Sequence, residues 1–191
     1  MKGYFMAFFK EKLTERKAAL LFIDSILKNV ENSWPATSRT LKVSFEGRWN
    51  IQDEGATMFD FVLAATAQDL QAVRNLFPSY QAERIERFVM NTLSGIEGWG
   101  DYAANEVGEY GAKFQGEIHT LSTGGDPFSA IPARLLHRWL GEDFHVCEGV
   151  ISGKRTGCID VFLLSTVTLL VGQYVGMWKS IKDTYKIVEG D

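Results

Sequence analysis

The sequence predicts a mainly α fold: a helical bundle around a buried apolar C-terminal helix, with one or two short β-strands at about residues 41–51 and 143–151. Residues 161–178, VFLLSTVTLLVGQYVGMW, contain no charged side chain and are long enough for a helix. In several other segments the apolar residues recur at spacings of three and four, which is typical of amphipathic helices. The chain has 191 residues, 46% of them hydrophobic, which indicates a single domain over residues 1–191 with a sizeable core.

The N-terminal third predicts one helix followed by one strand. From about residue 4 to residue 30 the apolar side chains keep helical spacing. Pro35 lacks a backbone donor, so we expect this helix to end at residues 32–35. Leu41, Val43 and Phe45 then alternate with polar residues, which favours a strand over residues 41–51.

The middle of the chain predicts four further helices. Thr57 is a plausible N-cap for a helix that reaches about residue 77, and Ser79 for a second that reaches about residue 96. A third is expected over residues 101–114 and a fourth from Pro127 or Pro132 to residue 140. The second strand, at residues 143–151, would lie beside residues 41–51.

Residues 161–178 allow two interpretations, because a helix that is apolar on all sides is either a core helix or a membrane span. Beyond this segment Trp178, Ile181 and Tyr185 fall on one face, with lysines on the others, so the continuing helix is amphipathic. This favours a core helix over a tail anchor and makes a membrane partner an unfavoured alternative. Five side chains are expected to be buried from several directions: Leu163, Leu164, Leu169, Leu170 and Val171.

Charge and terminal sequence restrict the partners and the compartment. The formal net charge is −4, and the lysines and arginines are interleaved with acids. Nucleic-acid binding needs clustered basic residues, so we expect none. The short apolar patch near the N-terminus does not fit a secretory signal, and we therefore expect a cytoplasmic protein in which Cys147 and Cys158 are free thiols. The alternative is a disulfide between them, which a hairpin turn at residues 151–154 would allow.

One short segment carries the candidate catalytic residues. Residues 142–148, EDFHVCE, contain His145, Cys147 and Glu148. On a strand, His145 and Cys147 would share one face as a thiolate and imidazole pair. The alternative interpretation is an ordinary solvated acidic loop. Lys154 and Arg155 follow nearby and are candidates for binding an anion.

No motif indicates a cofactor or a metal. Only Glu142 and His145 have the Glu-x-x-His spacing, whereas a di-iron bundle needs two such pairs. Residues 149–156 lack the spacing of a phosphate-binding loop. Glu106, Glu109, Lys113 and Glu117 lie on one side of the third middle helix, and charges at this spacing are typical of a solvated face.

These observations predict a non-enzymatic soluble protein that acts by protein–protein binding, as an adaptor, inhibitor, immunity-like or chaperone-like factor, with another protein or a second copy as its partner. The alternative is a small-molecule enzyme or ligand-binding domain with a pocket near His145 and Cys147. A second alternative is a tail-anchored membrane protein that inserts residues 161–178.

Overall fold

The computed structural model describes residues 10–45, 53–120, 130–140 and 161–190. Within these ranges the mainly α fold class is confirmed, with one small sheet at the side. The elements follow in the order β1 (Lys12–Thr14), α1 (Glu15–Ser44), α2 (Glu54–Leu76), α3 (Ser79–Ser94), α4 (Gly100–Thr120), α5 (Ala130–Leu140), α6 (Val161–Gly172), α7 (Met177–Thr184) and β2 (Lys186–Val188).

The centre of the bundle is α2, and not the C-terminal helix that the sequence predicted. Every residue from 61 to 70 is buried, and α2 packs against each of α1, α3, α4, α5, α6 and α7. This stretch of α2 contains the small residues Ala64, Ala65 and Ala67, which let neighbouring helices come close. Since α2 occupies the centre, the long apolar segment near the C-terminus packs at the side of the core.

The C-terminal segment is two helices separated by a turn at residues 173–176. Gly176 has φ of 108°, a left-handed conformation that favours glycine. Leu163, Leu170 and Val171 are buried as expected, but Leu164 is only partly buried and Leu169 is 72% exposed. The prediction of burial from all sides is wrong because neighbouring helices cover only part of α6. In the part of the chain that the structure describes, no helix combines the length and the apolar content that crossing a bilayer requires.

Helix α1 differs from its prediction at both ends. Residues 12–14 form a strand, and the Thr14 side chain caps the helix by accepting a hydrogen bond from the Lys17 backbone N–H at 3.3 Å. The helix then continues through Pro35 to Ser44. Proline removes only the hydrogen bond to the carbonyl of Glu31, and both residues lie on the exposed side, where water can hydrate that carbonyl.

The strand predicted at residues 41–51 is wrong over its first part, since residues 41–44 are helical. Leu41 and Phe45 are buried and Val43 is 70% exposed. Residues four apart share a helix face while the residue between them points away, so this short alternation also fits a helix. Residues 46–51 and the strand predicted at residues 143–151 lie outside the described residues.

The two strands join the beginning and the end of the described chain. They are parallel, with Lys12 opposite Lys186 and Thr14 opposite Val188. Beside them Arg84 on α3 pairs with Glu15 and also with Glu189. The N-terminal end of α1 is thereby held to the residues that follow α7.

Two glycines in the C-terminal segment provide a matched test of this turn. Gly176→Ala should lower the free energy of unfolding by about 1–2 kcal/mol, because a side chain disfavours the left-handed conformation. Gly172→Ala should be neutral or stabilising by up to about 1 kcal/mol, since a helical glycine costs about that much relative to alanine and an added Cβ meets no atom within 4 Å. Urea unfolding measures both, and equal effects would contradict a turn at residues 173–176.

Candidate functional site

The residues that the sequence singled out do not fall in the described structure. His145, Cys147, Glu148, Lys154 and Arg155 all belong to residues 141–160, which lie outside the described residues. Their roles stay predictions, and so does a pocket near His145 and Cys147. Within the described chain, α5 is the element that leads into this segment.

The described structure instead brings together a cluster of ionised side chains, here called the charge cluster: Asp60 on α2, Glu106 and Glu109 on α4, and Arg134 and Arg138 on α5. Arg138 Nε lies 2.7 Å from Asp60 Oδ1, and Arg138 Nη1 lies 3.2 Å from Glu106 Oε2. Arg134 Nε lies 3.3 Å from Glu106 Oε1, and Arg134 also pairs with Glu109. Two guanidinium groups thus hold three carboxylates from two other helices.

Helix geometry and two aromatic rings position the arginines. Arg134 and Arg138 are four residues apart, so they share one face of α5. The Arg138 guanidinium lies 5.4 Å from the centre of the Tyr102 ring and donates to the Tyr102 hydroxyl. Arg134 lies 5.5 Å from the centre of the Tyr110 ring. Cations over aromatic faces are attracted by the ring quadrupole, which adds to the ion pairs.

Burial has the largest effect on the pKa of Asp60. Removal from water raises the pKa of this carboxyl above 3.8, because burial disfavours the charged form. The positive charge and hydrogen bond of Arg138 and a hydrogen bond from Trp139 lower the pKa, while the Glu106 carboxylate raises it. The pKa of Asp60 is raised overall, so the effect of desolvation is larger than the opposing effect of Arg138.

Tyr110 on α4 is a neutral polar residue that is buried against this cluster. Burial raises the pKa of its hydroxyl, and the carboxylates of Glu106 and Asp60 raise it further. Its hydroxyl has no hydrogen-bond partner among the described residues. Tyr110 therefore stays protonated at physiological pH and contributes mainly its ring, which packs beneath Arg134.

The chemistry of the charge cluster favours a structural role. Each carboxylate accepts from a guanidinium, and a permanently charged arginine cannot supply a proton. Across the ranges that the structure covers, no group of three or more His, Cys, Asp or Glu side chains could hold a metal ion. The cluster holds α5 against α2 and α4, and in this way it fixes the point at which residues 141–160 begin.

Sequence reasoning missed most of this cluster. Glu106 was expected on a solvated face, but only 11% of its side chain is exposed and it faces two arginines. Two signals could have indicated this: Asp60 interrupts an otherwise apolar segment of α2, and Arg134 and Arg138 interrupt the apolar pattern of α5. A charged residue on an inward face needs a partner, and here Asp60 on α2 pairs with Arg138 on α5.

A second buried carboxylate, Asp69, holds the start of α7. Its side chain is fully buried and accepts hydrogen bonds from the backbone N–H groups of Gly176, at 2.6 Å, and Trp178, at 3.0 Å. The first N–H groups of a helix lack partners within that helix, so Asp69 supplies them from α2. Burial raises the pKa of Asp69 above 3.8, although the hydrogen bonds from residues 176–178 oppose this.

An open groove with a volume of about 490 Å³ lies between α3 and α4. It is lined by Met90, Ala104, Asn105, Gly108, Glu109 and Ala112. Glu109 is the only ionisable residue in this lining, and it already pairs with Arg134. The groove therefore brings together no set of groups that could act as acid, base or nucleophile.

The exposed side of α6 and of the turn after it, here called the uncharged face, carries large apolar side chains and no charged ones. Large apolar side chains stand on it, with Leu169 72% exposed and Val175 44% exposed. Helix α6 contains no charged residue, whereas α1, α2, α3, α4, α5 and α7 all carry them. The exposed residues of this face are Phe162, Ser165, Leu169, Gly172, Gln173 and Val175.

Comparison with protein-family models, with curated proteins and with solved structures finds no match to this chain.

Breaking an ion pair of the charge cluster should cost more stability than breaking an exposed ion pair elsewhere on the bundle. Arg138→Ala leaves Asp60, only 12% exposed, without its arginine, and removing one partner of a buried pair is strongly destabilising. Because Arg138 itself is 33% exposed, we expect a loss of about 2 kcal/mol, between the values for surface and buried pairs. The control Lys28→Ala breaks an exposed pair with Asp24 and should cost less than about 0.5 kcal/mol.

The double variant D60N/R138M refines this test. It removes the charge of Asp60 together with its partner, and we expect it to be more stable than Arg138→Ala in urea unfolding. A double variant no more stable than the single one would show that Asp60 does not depend on Arg138.

The raised pKa of Asp69 sets the sign of a pH effect. The folded protein holds this proton more tightly than the unfolded chain, so the contribution of Asp69 to stability is greatest below 3.8 and is lost as the pH rises through the folded pKa. Asp69→Asn does not titrate. The free energy of unfolding of this variant minus that of the wild type should therefore rise between about pH 4 and about pH 7.

Urea unfolding at several pH values measures this difference. A difference that falls as the pH rises would mean that the hydrogen bonds from α7, and not burial, control the pKa of Asp69.

Proposed function

We propose that this is a non-enzymatic cytoplasmic protein that acts by binding another protein through the uncharged face. The observation that carries the proposal is the exposure of Leu169, which is 72% accessible on a helix without any charged residue. Exposed apolar patches on helical proteins are typical of protein-binding surfaces.

The composition of the uncharged face favours burial against a partner. Covering a leucine side chain is worth about 1.5–3 kcal/mol. No ionised group has to be stripped of water when the face is covered, and that penalty is what most opposes burial of a charged surface. Ser165 and Gln173, which are also exposed on this face, can donate and accept hydrogen bonds with a partner, as polar groups do in protein interfaces.

The charges of the chain favour a protein as the partner. The net charge is −4, whereas a nucleic-acid-binding surface needs several lysines or arginines to neutralise phosphates. The uncharged face has none. A partner that presents apolar side chains within an uncharged or mildly basic surface fits both the face and the overall charge.

Site-specific photocrosslinking tests the proposal. A photoreactive phenylalanine analogue replaces Leu169 in the native host, and the same analogue replaces Val43, which is 70% exposed on α1, as a matched control. We expect a discrete crosslinked product containing a second protein at position 169 and none at position 43. Equal crosslinking at both positions, or none at position 169, would contradict the proposal.

Leu169→Lys tests the same surface by affinity. Because the side chain is exposed, the variant should keep the helical circular dichroism and thermal midpoint of the wild type. Its affinity for the crosslinked partner should fall about tenfold or more, as expected for an apolar residue at the centre of an interface. An unchanged affinity would place the interface elsewhere.

A further inference from the structure

We propose that the small sheet is a second binding surface, which takes an extended acidic segment of a partner protein through Lys12 and Lys186, here called the lysine pair. The lysine pair lies on β1 and β2, and neither of its residues belongs to the uncharged face. The proposal therefore does not depend on the proposed function.

The lysine pair places two like charges side by side. The strands are parallel, with Lys12 directly opposite Lys186, and opposed residues of neighbouring strands, about 4.8 Å apart, point to the same face of a sheet. The next opposed residues, Leu13 and Ile187, pack against the core. Because side chains alternate between the two faces of a strand, the lysine pair lies on the solvent side, where both side chains are exposed.

Two neighbouring lysines contribute to the fold, whereas the lysine pair does not. Lys10 Nζ donates to the carbonyl of Lys182, at 2.8 Å, and Lys182 Nζ donates to the carbonyl of Leu76, so both bonds satisfy carbonyls at helix ends. In the part of the chain that the structure describes, neither Lys12 nor Lys186 forms an ion pair. Like charges at opposed positions destabilise a sheet, so this repulsion gives the fold no advantage.

The end of the bundle that carries the lysine pair is positively charged, although the chain is acidic overall. Residues 10–17 and 179–189, which the sheet brings together, contain seven lysines and arginines against four acids, whereas the whole chain has a formal net charge of −4. Two of those acids, Glu15 and Glu189, pair with Arg84. This separation of charge favours an acidic partner at this end and steers it toward the lysine pair.

The backbone of the sheet favours a peptide as the acidic partner. Among the described residues β1 and β2 pair only with each other, so each strand keeps one edge without a strand partner, where an extended peptide can add. Lysines at such an edge repel basic strands and second copies of the same sheet, and they thereby select acidic segments.

The neighbouring acids disfavour larger polyanions. Glu11 and Asp183 are exposed and precede the two lysines by one and three residues. Nucleic acids and anionic membranes are bound by clusters of several lysines or arginines. Two lysines with acids beside them offer too few contacts to phosphates, but they are enough for two carboxylates of one peptide.

Peptide binding tests this surface. The probe is a fluorescently labelled pentapeptide of alternating glutamate and threonine, whose carboxylates lie on one side when it is extended, and the matched probe has glutamine in place of glutamate. In fluorescence polarisation at low ionic strength, we expect the full chain to bind the acidic probe and not the neutral one. K12Q/K186Q should bind the acidic probe roughly threefold or more weakly, as expected for the loss of two exposed ion pairs.

The matched control is K28Q/R39Q. It removes the same number of charges from exposed positions of α1 and should bind the acidic probe like the wild type.

Thermal unfolding gives a second readout. Because K12Q/K186Q removes a repulsion, its thermal midpoint without a ligand should equal or exceed that of the wild type. The acidic probe should raise the thermal midpoint of the wild type more than that of K12Q/K186Q, since a ligand stabilises the folded state that binds it.

Four results would overturn the proposal. Equal affinity of the wild type and K12Q/K186Q for the acidic probe would remove the site, and an equal loss in K28Q/R39Q would show general charge attraction. A lower thermal midpoint of K12Q/K186Q would assign the lysine pair to the fold. Tighter binding to duplex DNA or to phosphatidylserine vesicles, lost in K12Q/K186Q, would assign it to another kind of partner. None of these results affects crosslinking at position 169, so the proposed function would stand.

Discussion

The placement of α7 and β2 depends on the carboxylate of Asp69. This side chain lies on the most buried helix and accepts hydrogen bonds from the backbone of Gly176 and Trp178, 107 and 109 residues later in the chain. Trp178 is thereby set between Phe22, whose ring centre is 4.7 Å away, and Phe77, at 6.2 Å. Helix α7 leads directly into β2, so the same contact also positions the strand that pairs with β1.

Helix α2 can organise both ends of the bundle because its two buried acids point in opposite directions. Asp60 and Asp69 are nine residues apart, and nine residues at 100° each place them on opposite sides of a helix. One side faces the arginines of α5 and the other faces the start of α7. Burial raises the pKa of both carboxyls, so desolvation is costly at each site and the contacts that offset it are specific. A wrong docking of α5 or α7 would leave a buried carboxylate without donors.

The sequence predicted the class of the fold and most helices, because helical spacing of apolar residues reports directly on which face is buried. It failed where one pattern fits two structures. Leu41, Val43 and Phe45 suit a strand or the end of a long helix, and only the packing of α1 decides. The charge cluster was missed for another reason: Asp60 and Arg138 are 78 residues apart, and their pairing depends on how α2 and α5 dock. The candidates around His145 and Cys147 lie in residues 141–160, so their prediction remains untested.

The uncharged segment 161–178 illustrates the same limit most directly. An apolar residue on every side of a helix shows that any side could be buried, but it does not show how many sides are. Neighbouring helices cover only part of α6, so its buried residues Leu163, Val167 and Leu170 lie on one side and Leu169 stays on the other. The turn held by Asp69 then redirects the chain, so that Tyr174 and Trp178 are buried while Val175 between them is exposed. Which sides of this uncharged segment are buried is therefore decided by the docking of other helices, which the segment's own sequence does not encode.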